Sequence, residues 1–371
     1  MTGRSDIIVI GGGIAGISAA GRMAADAQVT VLEAEDAIGY HATGRSAAIY
    51  IRNYGNAALR ALNAASEPVF REPEGISDTS LLTPRGLLYV AMPEHAAAIE
   101  TLMQGSVGME RVDADEAVRL VPILRRDAIA AAAIEPGAQD IDVDRLLQGF
   151  AKMLRHGGGR IVTQARANRI SREGGLWRVE TPQGVFEAPV IVNAAGAWAD
   201  AVARMAGVQP LGLTPMRRSA VILPAPEGHD VSSWPLFACA GEGWYAKPEA
   251  GKLMISPADE DPSEPFDAWP DDMVLAEGLH RFEQAVTTPV TRIERSWAGL
   301  RSFFPDRTPA VGYAPDAEGF FWLAGQGGYG VQTSPALSAL AADLCAGRAS
   351  TLADPVVQAL APQRLMHAAF E

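Results

Sequence analysis

Asp6-Ile7-Ile8-Val9-Ile10-Gly11-Gly12-Gly13-Ile14-Ala15-Gly16 is an apolar run interrupted by glycines, and Val29-Thr30-Val31-Leu32-Glu33 follows after a helix-length stretch. This reads as a strand, a Gly-x-Gly-x-x-Gly turn, a helix over about residues 14–25 and a second strand ending in an acid. Glu33 follows Gly13 by about 20 residues, the spacing of a dinucleotide-binding βαβ unit. Gly11 allows a tight turn out of the strand. Gly13 lacks a Cβ, so backbone can approach a pyrophosphate, and Gly16 lets the helix pack closely on the strand. The free N–H groups at the helix start, from Ile14 and Ala15 onward, would face the phosphates together with the positive dipole end. Glu33 is placed to accept from the ribose hydroxyls and would repel a 2′-phosphate, which disfavours NADP. An ordinary βαβ unit without ligand is the competing reading.

The 371 residues predict two domains, and a hydrophobic content of 48% supports a large core. A formal charge of −13 argues against nucleic acid and anionic membrane surfaces as partners. The two cysteines, Cys239 and Cys345, give neither a disulfide framework nor a Cys-based metal site, and no metal is expected. They fit a reducing compartment. No integral membrane segment is expected. Residues 7–20 lack the basic leader of a signal peptide, and the first strand begins too near Met1 for a targeting extension. A cytoplasmic location follows, with peripheral attachment to the inner, respiratory membrane left open.

After the first βαβ unit comes a loop over 38–48 rich in Gly, Ser and Thr. Helices are predicted near 57–66 and 94–104, and another starts at Asp113 with Glu116 as its capping-box partner. An amphipathic helix over 144–156 ends at Gly157-Gly158-Gly159. Alternating segments at 160–163, 168–171, 176–181 and 185–188 predict a small antiparallel meander. Val190-Ile191-Val192 then leads into Asn193-Ala194-Ala195-Gly196-Ala197-Trp198. Strand patterns dominate 216–301, with one helix near 271–285. A last strand over 320–324, a Gly-rich loop from Gly325 to Gly330 and a helix over 331–345 make a second strand–loop–helix unit. The nucleotide-binding unit would thus be closed by the C-terminal part of the chain, with the domains interleaved in sequence. The expected division is 1–48, 141–213 and 297–371 for FAD binding, with 49–140 and 214–296 for substrate.

Gly-rich contacts near both ends of the chain suit one extended dinucleotide, FAD. The N-terminal turn would hold its pyrophosphate, and the helix start at Val331, Gln332 and Thr333 would face the isoalloxazine, stabilising negative charge near N1 and O2 of the reduced ring. A loop that merely caps a helix is the alternative. In His41-Ala42-Thr43-Gly44-Arg45-Ser46-Ala47-Ala48, small residues let backbone lie against a flat ring, and Arg45 and Ser46 can bind phosphate. The same loop would equally serve as a structural turn. Arg217, Arg218 and Arg301 are candidate carboxylate partners. Arg301 stands in an apolar run, where an arginine needs an anion, whether a ligand or an internal acid. Tyr54, Trp244 and Tyr245 could line or gate a pocket, or simply pack in the core.

Together, Gly11-x-Gly13-x-x-Gly16, the 41–48 loop, Asn193 to Trp198, Arg217-Arg218-Ser219-Ala220, residues 297–303 and residues 326–333 resemble the glycine/D-amino-acid oxidase family of FAD enzymes. The likeness spans nearly the whole chain and is nearest to the branch that dehydrogenates D-arginine. It implies an α/β protein of α+β character, with a Rossmann-like FAD-binding domain and an interleaved antiparallel-sheet substrate domain. It implies noncovalent FAD, in contact with the N-terminal glycines, Glu33, the 45–48 loop, Ala195, Gly196, Trp198, Gly299, Gly327, Gly328, Tyr329, Gly330, Val331 and Gln332. By the same resemblance Arg218 and Arg301 would hold a substrate carboxylate. Tyr54, on a mobile lid loop, and Tyr245 would lie over the substrate. Gly328 and Gln332 would contact its amine or the flavin edge.

The chain departs from that branch where the substrate side chain should lie. Ile49, Ile51 and Leu87 replace a histidine, a threonine and an acid, while Leu236 and Ala238 complete an apolar wall. An unpaired guanidinium against Leu87 would cost several kcal/mol. The expected activity is therefore oxidative deamination of D-amino acids with apolar or aromatic side chains, or of a cyclic imino acid, in preference to D-arginine. Hydride would pass from Cα to flavin N5, and the imino acid would hydrolyse to a 2-oxo acid and ammonia. Quinone or oxygen would accept the electrons. The alternatives are a 2-hydroxy acid dehydrogenase, a cyclic or N-methyl amine oxidase, a nicotinamide-dependent dehydrogenase, or a non-catalytic flavoprotein.

Overall fold

A computed structural model describes residues 2–241 and 243–366. Its central sheet has six strands in the order Arg160–Val162, Val29–Leu32, Ile7–Ile10, Val190–Asn193, Phe320–Ala324 and Ala310–Tyr313. The first five run parallel and the last antiparallel. Parallel strands buried on both faces read as continuous apolar runs, as Ile7–Ile10 does. Ile7 and Val9 face the core made with helices Ile14–Met23, Val143–His156 and Gly330–Cys345. Ile8 and Ile10 face the opposite core, shared with Trp177, Val179 and Phe186 of a smaller sheet.

That smaller sheet corrects the expected meander. Strands Arg169–Glu173, Leu176–Thr181 and Gly184–Ala188 are antiparallel, and Thr2–Arg4 adds in parallel at the edge. Arg160–Val162 is not part of it; it pairs in parallel with Val29–Leu32. The glycines at 157–159 turn the chain from helix Val143–His156 straight back into the central sheet. A Cβ on Gly157 would stand 2.4 Å from Ala24 O and one on Gly159 3.0 Å from Val29 O, so backbone crowds both ends of the turn.

The third sheet has nine strands and carries the other half of the molecule. Its order is Asp261–Pro262, Thr214–Leu223, Lys252–Ser256, Tyr245–Glu249, Leu236–Cys239, Leu87–Ala91, Ala131–Glu135 and Glu110–Val112, with Arg295–Phe303 along the free side of Thr214–Leu223. Arg295–Phe303 crosses the boundary expected at 296/297 and pairs with Thr214–Leu223 from Ile222↔Arg295 to Thr214↔Phe303. One face of this sheet buries Leu88, Val90, Phe237, Ala246 and Ile255 against helix Asp272–Ala285. Trp244, 2% exposed, packs there on Phe237 and Phe282, so it is a core residue and does not gate a pocket.

Helix ends follow local chemistry. Asp113 accepts from Glu116 N at 2.8 Å, but the Glu116 carboxylate pairs with Arg119, so only half of the expected capping box forms. Asn56 caps a helix that runs from Ala57 to Arg71, longer than expected. Residues 93–95 form a separate 3₁₀ turn before helix Ala96–Met103. No helix among the described residues is long and apolar enough to cross a membrane.

Candidate active site

A cavity of about 380 Å³ runs from the N-terminal glycine turn to the strand pair that carries Arg218 and Arg301. Gly11, Gly13, Ile14, Ala15 and Glu33 line one end, and Arg218, Tyr245, Arg301, Gly327 and Gly328 line the other. Arg45, Ser46, Ala47, Ala195, Gly196, Trp198, Gly299, Gly330 and Val331 lie along its walls. Gly16, Ala48, Tyr54, Tyr329 and Gln332 are not in the lining, and neither are Ile49, Ile51, Leu87, Leu236 and Ala238.

Each glycine of the first turn has a distinct steric reason. Gly11 has φ +107°, and a Cβ there would meet Ala194 O at 2.4 Å. A Cβ on Gly16 would meet Gly11 O at 2.0 Å. Gly13 is different, because its Cβ would find only Thr43 Oγ1 at 3.4 Å and otherwise project into open space. The 13–16 turn is therefore closed on the protein side and open on the cavity side. One sequence expectation fails here. The Ile14 N–H is taken by Thr43 Oγ1 at 3.0 Å and is not free for a ligand. Glu33, 7% exposed, accepts from Gly12 N at 2.6 Å and from Glu35 N at 2.9 Å, which fixes its carboxylate at the cavity edge.

Arg45 also departs from the expected phosphate role. Its Nη1 donates to Ala268 O and Ala298 O at 3.0 and 2.9 Å, and its Nη2 pairs with Asp267. The guanidinium ties the 41–48 loop to two distant segments. Ser46 Oγ accepts from Ala48 N at 3.1 Å, a local turn contact. Ala48 itself adopts φ +55° at the loop's end. His41 packs at a tilt against Trp198, with ring centroids 4.7 Å apart, and hydrogen-bonds Glu35, which ties this loop to its surroundings.

At the far end, Arg218 Nε donates to Asp259 O at 2.7 Å, and its Nη2 pairs with Glu260 at 2.9 Å. Arg301 Nη2 donates to the Tyr245 hydroxyl at 3.3 Å. Among the described residues no carboxylate lies within 4.0 Å of Arg301. Burial disfavours its charge, but the neighbouring Tyr245 and Tyr54 outweigh that and hold the guanidinium firmly protonated. For the Tyr245 phenol, burial opposes ionisation, yet Arg301 and then Arg218 overcome it and bring the group below its ordinary range. Arg217, by contrast, pairs with Asp261 and stands near Asp259 and Asp271, away from the cavity lining.

Ile51, Leu87, Leu236 and Ala238 pack into one buried cluster, with Ile49, Tyr54, Tyr89 and Tyr245 partly buried against it. All five residues expected to form an apolar wall thus belong to one cluster with both expected tyrosines. Tyr54 stacks edge-on against Tyr329 at 4.7 Å. Gln332 is a correction. Its Oε1 accepts from Ile51 N at 3.0 Å, while Nε2 donates to Asn63 Oδ1 at 2.8 Å and to Ile51 O at 3.4 Å. With all its amide groups used by the chain, it positions the Ile51 segment and has none left for a substrate.

The cavity's free chemistry fits an extended dinucleotide. Helices Ile14–Met23 and Gly330–Cys345 both open onto it, and neither has an acid in its first turn or a side-chain N-cap. Such helix starts favour anionic groups. Gln326 Nε2 and Ser302 Oγ, from two further lining residues, are buried without hydrogen-bond partners. The sequence did not single out either of them, or Thr43; Gln326 and Thr43 stand beside glycines and Ser302 beside Arg301.

Comparison with known proteins agrees. The family model described as "FAD dependent oxidoreductase" (DAO) matches residues 6–344. Glycine oxidase of Geobacillus kaustophilus is 26% identical over 365 residues, covering 93% of both chains. D-amino acid dehydrogenase of Cereibacter sphaeroides is 28% identical over 275 residues, covering 68% of this chain and 58% of its own. The crystal structure of L-proline dehydrogenase from P. horikoshii superposes with a TM-score of 0.84 at 24% identity, covering 99% of each chain.

Proposed function

The chain belongs to the DAO family of FAD-dependent oxidoreductases, and we propose that it oxidises D-amino acids at Cα to imino acids, which water hydrolyses to 2-oxo acids and ammonia. Bound FAD supplies the acceptor for the hydride that leaves Cα. The chain's residues bind and orient the substrate.

Arg301 carries this reading. It lines the cavity beside Gly328, has Tyr245 as its hydrogen-bond partner and, among the described residues, has no carboxylate within ion-pair distance. A guanidinium so placed calls for an anion from outside, and a carboxylate matches its planar fork. Arg218, with Nε and one Nη2 contact already taken, offers Nη1 to the same carboxylate. Two cationic anchors fix the carboxylate, and the place left for the side chain then sets which face of Cα meets the reactive end of the cavity. A Cβ on Gly328 would stand 3.1 Å from Arg301 Nη1, so a side chain there would press on the guanidinium. The substrate amine therefore meets main chain there. Tyr245 bounds the remaining space, and Tyr54 packs against the apolar cluster that Tyr245 also touches.

The wall of Ile49, Ile51, Leu87, Leu236 and Ala238 favours an apolar or aromatic side chain over a guanidinium, whose unpaired burial costs several kcal/mol. Quinone or oxygen accepts the electrons in this reading. The similarity to glycine oxidase favours a second reading, in which the substrate is glycine or an N-substituted glycine. The packed side-chain wall speaks for the first. Replacing Arg301 with Met tests the carboxylate assignment. FAD should stay bound while KM rises about a hundredfold, the scale of removing one partner of a buried charge pair. Unchanged turnover would sink it.

A further inference from the structure

Strand register collects the site on one face of the nine-stranded sheet. Arg218 stands opposite Gly299, two residues from Arg301. Tyr245 stands opposite Ala238, Leu236 opposite Leu87, and Leu87 opposite Glu135. Directly opposed residues share a face, as do residues two apart on a strand. Glu135 therefore ends the lateral row Leu236–Leu87–Glu135, on the same face as both arginines. Three strand spacings, about 14 Å of backbone, separate its strand from that of Tyr245.

Glu135 is 1% exposed. Its Oε1 accepts from Asn53 N at a long 3.3 Å, and its Oε2 is buried with no partner. No ion pair to it exists among the described residues. Burial raises the carboxyl above its usual range, against the weaker pull of the Asn53 contacts. A buried polar atom left without a partner is uncommon in a native fold. This one stands at the end of a wall that is otherwise apolar.

We propose that Glu135 is the far end of the substrate side-chain pocket, where its carboxyl hydrogen-bonds one uncharged polar group at the tip of an otherwise apolar side chain. A phenol, an indole N–H or a side-chain amide has the right chemistry. A guanidinium or ammonium fits less well, because it brings several donors, and beside the carboxyl the cluster offers only the Tyr54, Tyr89 and Tyr245 hydroxyls as side-chain acceptors. This inference rests on the reading of that wall as the site of the substrate's side chain.

The test compares kcat/KM for D-tyrosine and D-phenylalanine, with D-lysine as the cationic arm, in the wild-type holoenzyme, Glu135→Gln and Glu135→Leu. The wild type should prefer D-tyrosine at least about tenfold, as a site built to bond a hydroxyl discriminates against its absence. Glu135→Gln should keep the preference and Glu135→Leu should abolish it. If the Leu variant does not fold, Glu135→Met serves in its place. An equal loss for both aromatic substrates would show a merely structural role and overturn the proposal. So would a tyrosine-to-phenylalanine ratio unchanged across the variants, or a wild-type preference for D-lysine. D-tyrosine turning over with no Glu135 effect refutes this inference alone, whereas failure of every D-amino acid to reduce the wild-type flavin overturns the parent reading as well.

Discussion

Arg301 Nη2 and the Tyr245 hydroxyl stand 3.3 Å apart, on neighbouring parts of one sheet face, and each shifts the other's proton affinity. Burial alone would raise the phenol, but Arg301 and Arg218 lower it below 10. Its folded pKa is thus depressed relative to the unfolded chain. The stabilisation is fully present above the unfolded value, about 10, and is lost as pH falls through the folded value. A near-ultraviolet pH titration should show one tyrosinate forming below that range in the wild type and absent in Tyr245→Phe. Arg301→Met should move this transition upward, because it removes the stronger of the two attractions on the phenolate.

Gly13 and Gly16 should separate cofactor binding from folding. A Cβ on Gly16 collides with Gly11 O at 2.0 Å, whereas one on Gly13 only approaches Thr43 Oγ1 at 3.4 Å. Gly16→Ala should therefore destabilise the protein by about 3 kcal/mol or more, with or without FAD. Gly13→Ala should leave the apoprotein's melting temperature near wild type yet weaken FAD binding, measured by fluorescence titration. Equal effects on both properties in both variants would contradict the open-faced turn.

Gln332→Leu should behave as a structural lesion. It leaves Ile51 and Asn63 without their partners, at about 3 kcal/mol for buried groups. Denaturant unfolding should report that loss. The KM for substrates differing only in their amine should change by a common factor.

The thiols should be silent in the folded protein. Cys239 is buried, and burial pushes the Cys345 thiol up to about 12. A thiol reagent at neutral pH should label neither until denaturant is added.

The first βαβ unit was legible in the sequence because its signals are local: an apolar strand, fixed glycine spacing and an acid at the second strand's end. The apolar wall was legible only through resemblance, since Ile51, Leu87 and Leu236 meet across segments far apart in the chain. Strand partners were not legible. Residues 160–162 alternate like the meander beside them, yet the three preceding glycines send them to the central sheet. Arg45 looked free for phosphate because its acceptors, Asp267, Ala268 and Ala298, lie more than 200 positions away. Gln332 was misread for the same reason, its partners being Ile51 and Asn63. Glu135 was overlooked because an acid closing the run Ala131-Ala132-Ala133-Ile134 resembles an ordinary strand end; only the register with Leu87 brings it to the site.

The most direct measurement is anaerobic titration of the purified holoprotein with D- and L-enantiomers of leucine and phenylalanine, alongside glycine, sarcosine, L-proline and the matching 2-hydroxy acids, following the flavin absorbance. Carboxylate anchoring by Arg218 and Arg301 beside an apolar wall predicts that the D-amino acids bleach the flavin, with 2-oxo acid and ammonia recovered in equal amounts. Bleaching by the L-enantiomers or the hydroxy acids alone, or by none of these compounds, would contradict it.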